Sequence, residues 1–199
     1  MCCILRMGYT AIRSMQHTAR TMRTLVIGLG NPILTDDGVG VKVACAVRDA
    51  LASAEHNDVS VTEASVGGLR LMEMMIGYER VILVDALQHP GVRPGSIRRM
   101  TLEDLSTITP TQHSTCAHDT SLVTALELGR QMGLPLPKEL IIYAVGVENV
   151  TCFGEQPTPA VARAIPDVTQ AILAELKDSD ENSIPASYRD RLQEQLPMT

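Results

Sequence analysis

Residues 24–40 read TLVIGLGNPILTDDGVG, and two patterns meet within them. Thr24 to Gly30 is a short, β-branched apolar run closed by Gly28 and Gly30, the pattern of a strand buried on both faces. Beyond Pro32 the period changes. Val39, Val43, Val47, Ala50 and Leu51 recur at helical spacing, which predicts a helix to about Ser53 with Asp36 or Asp37 as its cap. A buried strand turning through glycines into an amphipathic helix is the opening unit of an α/β domain.

The same alternation continues outward. Val59 to Ala64 alternates like a half-exposed strand, Gly67-Gly68 breaks the chain, and Leu69 to Ile76 suits a short helix. Arg80 to Asp85 (RVILVD) and Leu140 to Val147 (LIIYAVGV) read as further buried strands, and Ser96 to Thr101 as an edge strand. Residues 106–118, rich in Ser, Thr, Pro and His, read as a loop. Asp119 to Met132 reads as a helix closed by Gly133. Thr158-Pro159 opens a last helical stretch, interrupted near Pro166 and ending near Lys177. Strands alternating with helices imply right-handed crossovers and a three-layer α/β/α fold, with a mostly parallel twisted sheet between helices. The expected organisation is an extension over residues 1–22, one domain over 23–177, and a polar, frayed tail over 178–199.

Composition narrows the function classes. With 45% hydrophobic residues but only 3% aromatic ones, the core must be built from aliphatic side chains. The net charge of −6 is uneven: residues 1–23 hold Arg6, Arg13, Arg20 and Arg23 and no acid, so the remainder carries 13 basic against 23 acidic residues, near −10. Such a surface repels phosphate backbones, and nucleic acid is not expected as a partner. Five cysteines without a CxxC pair speak against a disulfide framework or a thiolate zinc site and for a reducing cytoplasm. No apolar run approaches membrane-spanning length. The arginine-rich start looks superficially like a transit peptide. It reads better as a disordered extension, or as a start placed too early with Met22 as the true beginning.

In folds of this class ligands bind beyond the C-terminal strand ends, and the chemistry-bearing residues fall there. The Gly28 to Gly40 segment lacks the third glycine of a dinucleotide fingerprint, and Asn31-Pro32 delays the helix that would receive a pyrophosphate. Its glycines read as a tight turn. Asp36-Asp37 could simply cap the helix and meet its dipole. Asp85 ends a buried strand, where an ionised carboxylate needs a partner or a metal. His118 opens a helix. Two carboxylates and an imidazole from three strand-end segments would make a metal's first ligand set. Cys116, two residues earlier, is a candidate fourth ligand, though a small buried thiol is the plainer role. His89 and His113 read as solvated loop residues. Gly67 and Gly68 would let a substrate strand approach the backbone, or form a plain turn. Asn31, Glu148, Asn149 and Glu155 would shape the cleft.

GLGNPILTDDGVG at 28–40, GGLRLME at 67–73, VILVDAL at 81–87, HDTSL at 118–122 and YAVGVENVTCFGEQPTPAVARAIP at 143–166 together resemble the [NiFe] hydrogenase maturation endopeptidases, over about residues 23–176. The resemblance implies a phosphorylase/hydrolase-like α/β/α fold. It implies a metal-binding set of Asp37, Asp85 and His118, with Asp37 a methylene shorter than the Glu of some members. It also implies cleavage of the C-terminal extension of the hydrogenase large-subunit precursor after nickel insertion, by a cytoplasmic protein, expected to be a monomer. Nickel supplied by the substrate would be the recognition element, and zinc or cadmium would substitute in the isolated protein. The family is classed among aspartic-type peptidases, so Asp37 or Asp85 would serve as base. Asp119-Thr120-Ser121 mimics a pepsin-type triplet but has no second copy and reads as the opening of a helix, where Thr120 or Ser121 is better taken as a cap. Two rival readings differ in what they predict. A nickel-dependent chaperone of the large subunit would bind without cleaving. A peptidyl-tRNA hydrolase, whose first strand also ends in GLGNP, needs a basic surface and a His soon after that motif, where this chain has Asp36-Asp37.

Overall fold

A computed structural model of the chain describes residues 22–52, 58–108 and 119–177. The expected extension and tail, and with them His113, Cys116 and His118, lie outside the described residues. Five strands, β1 (Thr24–Leu29), β2 (Val59–Ala64), β3 (Arg80–Leu87), β4 (Ile97–Thr101) and β5 (Glu139–Gly146), form one sheet in the order β2-β1-β3-β5-β4. All neighbours are parallel except β4, which pairs antiparallel with β5 at the edge.

Side-chain alternation splits the core into two layers. Val26, Ile82, Val84, Ile141, Tyr143 and Val145 meet α1 (Val39–Leu51) and α5 (Pro159–Lys177) on one face. Leu25, Ile27, Leu29, Val81, Leu83 and Ile142 meet α2 (Gly68–Met75) and α4 (Asp119–Gln131) on the other. The expected three-layer fold is the observed one. A short helix, α3 (Leu102–Ile108), follows the edge strand and buries Leu105.

Three local expectations change. No side chain caps α1: Gly38 holds the cap position, and Asp36 and Asp37 precede the helix in the loop. The loop expected from residue 106 starts later, because α3 runs to Ile108. Helix α5 continues through Pro166 without interruption. Pro166 lies on the exposed side, where water can take the carbonyl left without a donor. The opposite stripe of Val161, Ala164, Val168, Ala171 and Ile172 holds the helix to the sheet.

Candidate active site

The first turn of α1 rests directly on the ends of β1 and β3. A Cβ on Gly40 would collide with the carbonyls of Leu29 and Val84, and one on Gly28 with the carbonyl of Gly40. The loop between them folds back on itself at Gly30, which has φ 128° and no room for a side chain against the Asp37 carbonyl. Gly30 thus makes the expected tight turn, while Gly28 and Gly40 serve a close approach of α1 to the strand ends.

The loop carries two acids with different fates. Asp36 is fully buried. Its Oδ1 accepts a hydrogen bond from Thr158 N at 2.7 Å, and its Oδ2 accepts from Asn149 N at 3.0 Å, Glu148 N at 3.3 Å and Thr158 Oγ1 at 3.2 Å. The carboxylate therefore ties the loop after β1 to the loop after β5 and to the start of α5. Asp37 is only partly buried, and its Oδ2 accepts from Asn31 N at 2.7 Å, which holds the carboxylate at the exit of β1. Asn31 Oδ1 accepts from Ile33 N at 3.2 Å, an Asx-type turn that shapes the same loop.

Asp85 lies on the neighbouring strand, one residue beyond the Gly28–Val84 register pair and so level with the end of β1. It is 7% exposed, and its Oδ1 accepts from Ala86 N at 2.8 Å. Val84 and Ala86 belong to the α1–α5 layer and Leu83 to the α2–α4 layer, so alternation directs Asp85 to the α2–α4 side. Helix α4 leads into the N-terminal end of β5, so it starts at the C-terminal edge of the sheet, in the layer that Asp85 faces. His118 directly precedes α4 in sequence. Among the described residues no three His, Cys, Asp or Glu side chains gather as a metal set.

The other candidates lie at the same edge. Gly30 N donates to Ala64 O at 3.1 Å and Ser65 Oγ donates to Gly30 O at 2.8 Å, joining the end of β2 to that of β1. Gly67 and Gly68 follow, the second at φ 58° opening α2. Glu148 and Glu155 are exposed. Gln88 Nε2 donates to Glu148 O at 3.1 Å, linking the segments after β3 and β5. His89 is exposed, as expected. The sequence placed Thr158 at the opening of α5 but carried no signal of its bonds to Asp36, which only the packing of the fold creates.

With two carboxylates held at adjacent strand ends, one partly open and one buried, the edge can accept a proton from water or offer hard oxygen ligands to a divalent ion.

The hydrogenase maturation protease family model matches residues 41–175. Hydrogenase 2 maturation protease of Escherichia coli K12 is 27% identical over 168 residues, covering 82% of this chain and 96% of that protein. Hydrogenase expression/formation protein HupD of Rhizobium leguminosarum is 24% identical over 155 residues, covering 78% and 74%. The hydrogenase maturating endopeptidase HybD from E. coli superposes with a TM-score of 0.67 at 27% identity, over 83% of this chain and 99% of that one. The HycI maturation protease of Thermococcus kodakarensis, at 19% identity and a TM-score of 0.58 over 78% and 93% of the two chains, shares the fold. The chain belongs to the hydrogenase maturation protease family and is an endopeptidase that processes the C terminus of a hydrogenase large subunit.

Proposed function

We propose that this endopeptidase acts on a [NiFe] large-subunit precursor only after nickel insertion, and that the nickel carried by the substrate is what it reads. Asp37, Asp85 and His118 are the side chains assigned to meet that metal. One observation carries the reading: Asp37 and Asp85 hold their carboxylates at the C-terminal ends of adjacent strands, on segments fixed by the core. Two oxygens and one nitrogen form an incomplete set for a divalent ion, which suits a metal that arrives with its own ligands. In the same edge Gly67-Gly68 and Asn31 would lie along the substrate chain.

The nickel supplies a fixed point that sets the substrate in register. The chemistry falls to the carboxylates. Asp37 or Asp85 accepts a proton from water while the water oxygen bonds to the scissile carbonyl carbon. The C–N bond then breaks and the proton passes to the departing amide nitrogen. The free thiols of Cys45 and Cys152 suit a reducing cytoplasm, where the protein would act as a monomer. Among the described residues no helix is long and apolar enough to cross a membrane.

Single-turnover cleavage of matched nickel-loaded and nickel-free precursors tests the proposal. Cleavage of the loaded form alone is expected. Equal rates on both would overturn recognition through the substrate's nickel.

A further inference from the structure

The loops after β1 and β5 are joined in a short antiparallel ribbon. Leu34 and Phe153 form its bridge, Gly154 N donates to Ile33 O at 3.0 Å, and Thr35 N and Oγ1 donate to Cys152 O at 3.0 and 2.9 Å. Asp36 N donates to Asn149 O at 2.9 Å, and the buried Asp36 carboxylate fastens the base. The ribbon is thus a bonded element. Yet Phe153 is 83% exposed and Ile33 53% exposed. Phe153 is the single Phe of a chain that is otherwise sparing with aromatics. Leaving it in water forgoes the largest apolar burial a residue of this chain could make. The other exposed apolar residues are scattered: Met22 precedes β1, and Leu69, Leu128 and Met132 lie on or just after helices, where single exposed residues are ordinary.

The ribbon also has a definite position. Ile33 stands four residues before Asp37, and the two ribbon segments leave β1 and β5, the strands on either side of Asp85. A directly opposed pair shares a face, so Phe153 stands with Leu34, and Ile33 points to the other side. Glu148, at the base, and Glu155, two residues beyond Phe153, are both exposed and bracket the second segment in sequence.

We infer that residues 33–36 and 149–154 form a substrate-docking finger, in which Phe153, and secondarily Ile33, take apolar side chains of the large-subunit precursor beside the cleavage site. The occupant is the substrate polypeptide because the finger is continuous with the segment that carries Asp37. This rests on the activity assigned above.

The test is steady-state cleavage of nickel-loaded precursor by wild type, Phe153→Ser, Ile33→Ser and Phe153→Leu, with Leu128→Ser as a surface control. Phe153→Ser should raise KM about tenfold with kcat nearly kept, and Ile33→Ser about threefold, because a uniform binding contact is lost. Phe153→Leu should restore KM to within about threefold of wild type. All variants should melt with the wild type, since the changed side chains are exposed. An unchanged KM in Phe153→Ser, or an equal rise in Leu128→Ser, would overturn the docking finger. If wild type also cuts nickel-free precursor, recognition through nickel falls by itself. The KM ratios measured on that precursor then support or overturn the finger by the same criteria.

Discussion

Adjacent acids of one loop meet different surroundings, Asp36 fully buried and Asp37 partly open. Every oxygen of Asp36 is engaged by donors from residues 148, 149 and 158, and none of it reaches solvent. It is therefore unsuited to a metal or a water. Asp36→Ala would strand these donors and should cost roughly 3–5 kcal/mol, far above the cost of a lost helix cap. Denaturant unfolding measures this, and a loss near the ordinary cap value of about 1 kcal/mol would contradict it. Asp37→Ala and Asp85→Ala should behave oppositely, abolishing precursor cleavage while the melting temperature stays close to wild type. Full cleavage by the Asp85 variant would remove that residue from the site. The resemblance gave Asp37 to the site and left Asp36 a capping role, but the division of the pair into a buried tie and an open carboxylate was not legible. That division depends on Thr158, more than a hundred residues away, which only the packing of α5 brings to the loop.

Among the elements, strong periodicity was legible and weak local signals were not. The buried strands β1, β3 and β5 and the amphipathic helices α1 and α4 stand within a few residues of where their apolar patterns put them. Helix α3 was missed because its 7 residues are too few to show a period. Its signal was a capping box instead. Asp104 N donates to Thr101 Oγ1 at 3.3 Å, while Thr101 N and Oγ1 both donate to Asp104 Oδ2, at 2.7 and 2.8 Å. Thr101→Ala should cost about 1 kcal/mol, read by denaturant unfolding. The Thr101 N–H, and then its hydroxyl, hold the Asp104 carboxyl below its ordinary pKa. A depressed pKa contributes stability that is complete above the ordinary carboxylate range and disappears as pH falls through the lowered folded value. The cost of Thr101→Ala should therefore be constant at neutral pH and shrink in acid. A cost that grew in acid would refute the assignment.

Across the molecule, the two edges of the sheet do different work. The C-terminal edge holds loops, glycines and the proposed site. From the N-terminal edge, where Arg80 and Glu139 begin their strands, a buried ionic cluster reaches Tyr143 and Arg99 level with Val84. No sequence pattern announced it, since its members come from four elements. Glu175, in the last turns of α5, is 7% exposed. Its Oε2 accepts from Arg80 Nη2 on β3, and its Oε1 from Arg99 Nε on β4 and from Tyr143 OH on β5 at 3.2 Å. Arg80 Nη1 also donates to the Glu175 carbonyl at 2.8 Å, and Arg80 Nε lies 3.1 Å from Glu139 Oε2. Removing one partner of such a cluster leaves a buried charge uncompensated, so Glu175→Ala should lose roughly 3–5 kcal/mol. Arg80 begins β3, whereas Asp85 stands near its other end, and the strand between is wholly buried. The damage should thus remain in stability. At a temperature where the variant is still folded, as followed by circular dichroism, its kcat and KM for nickel-loaded precursor should match wild type. A fully folded Glu175→Ala protein with a depressed kcat would show instead that the cluster is coupled through β3 to the site.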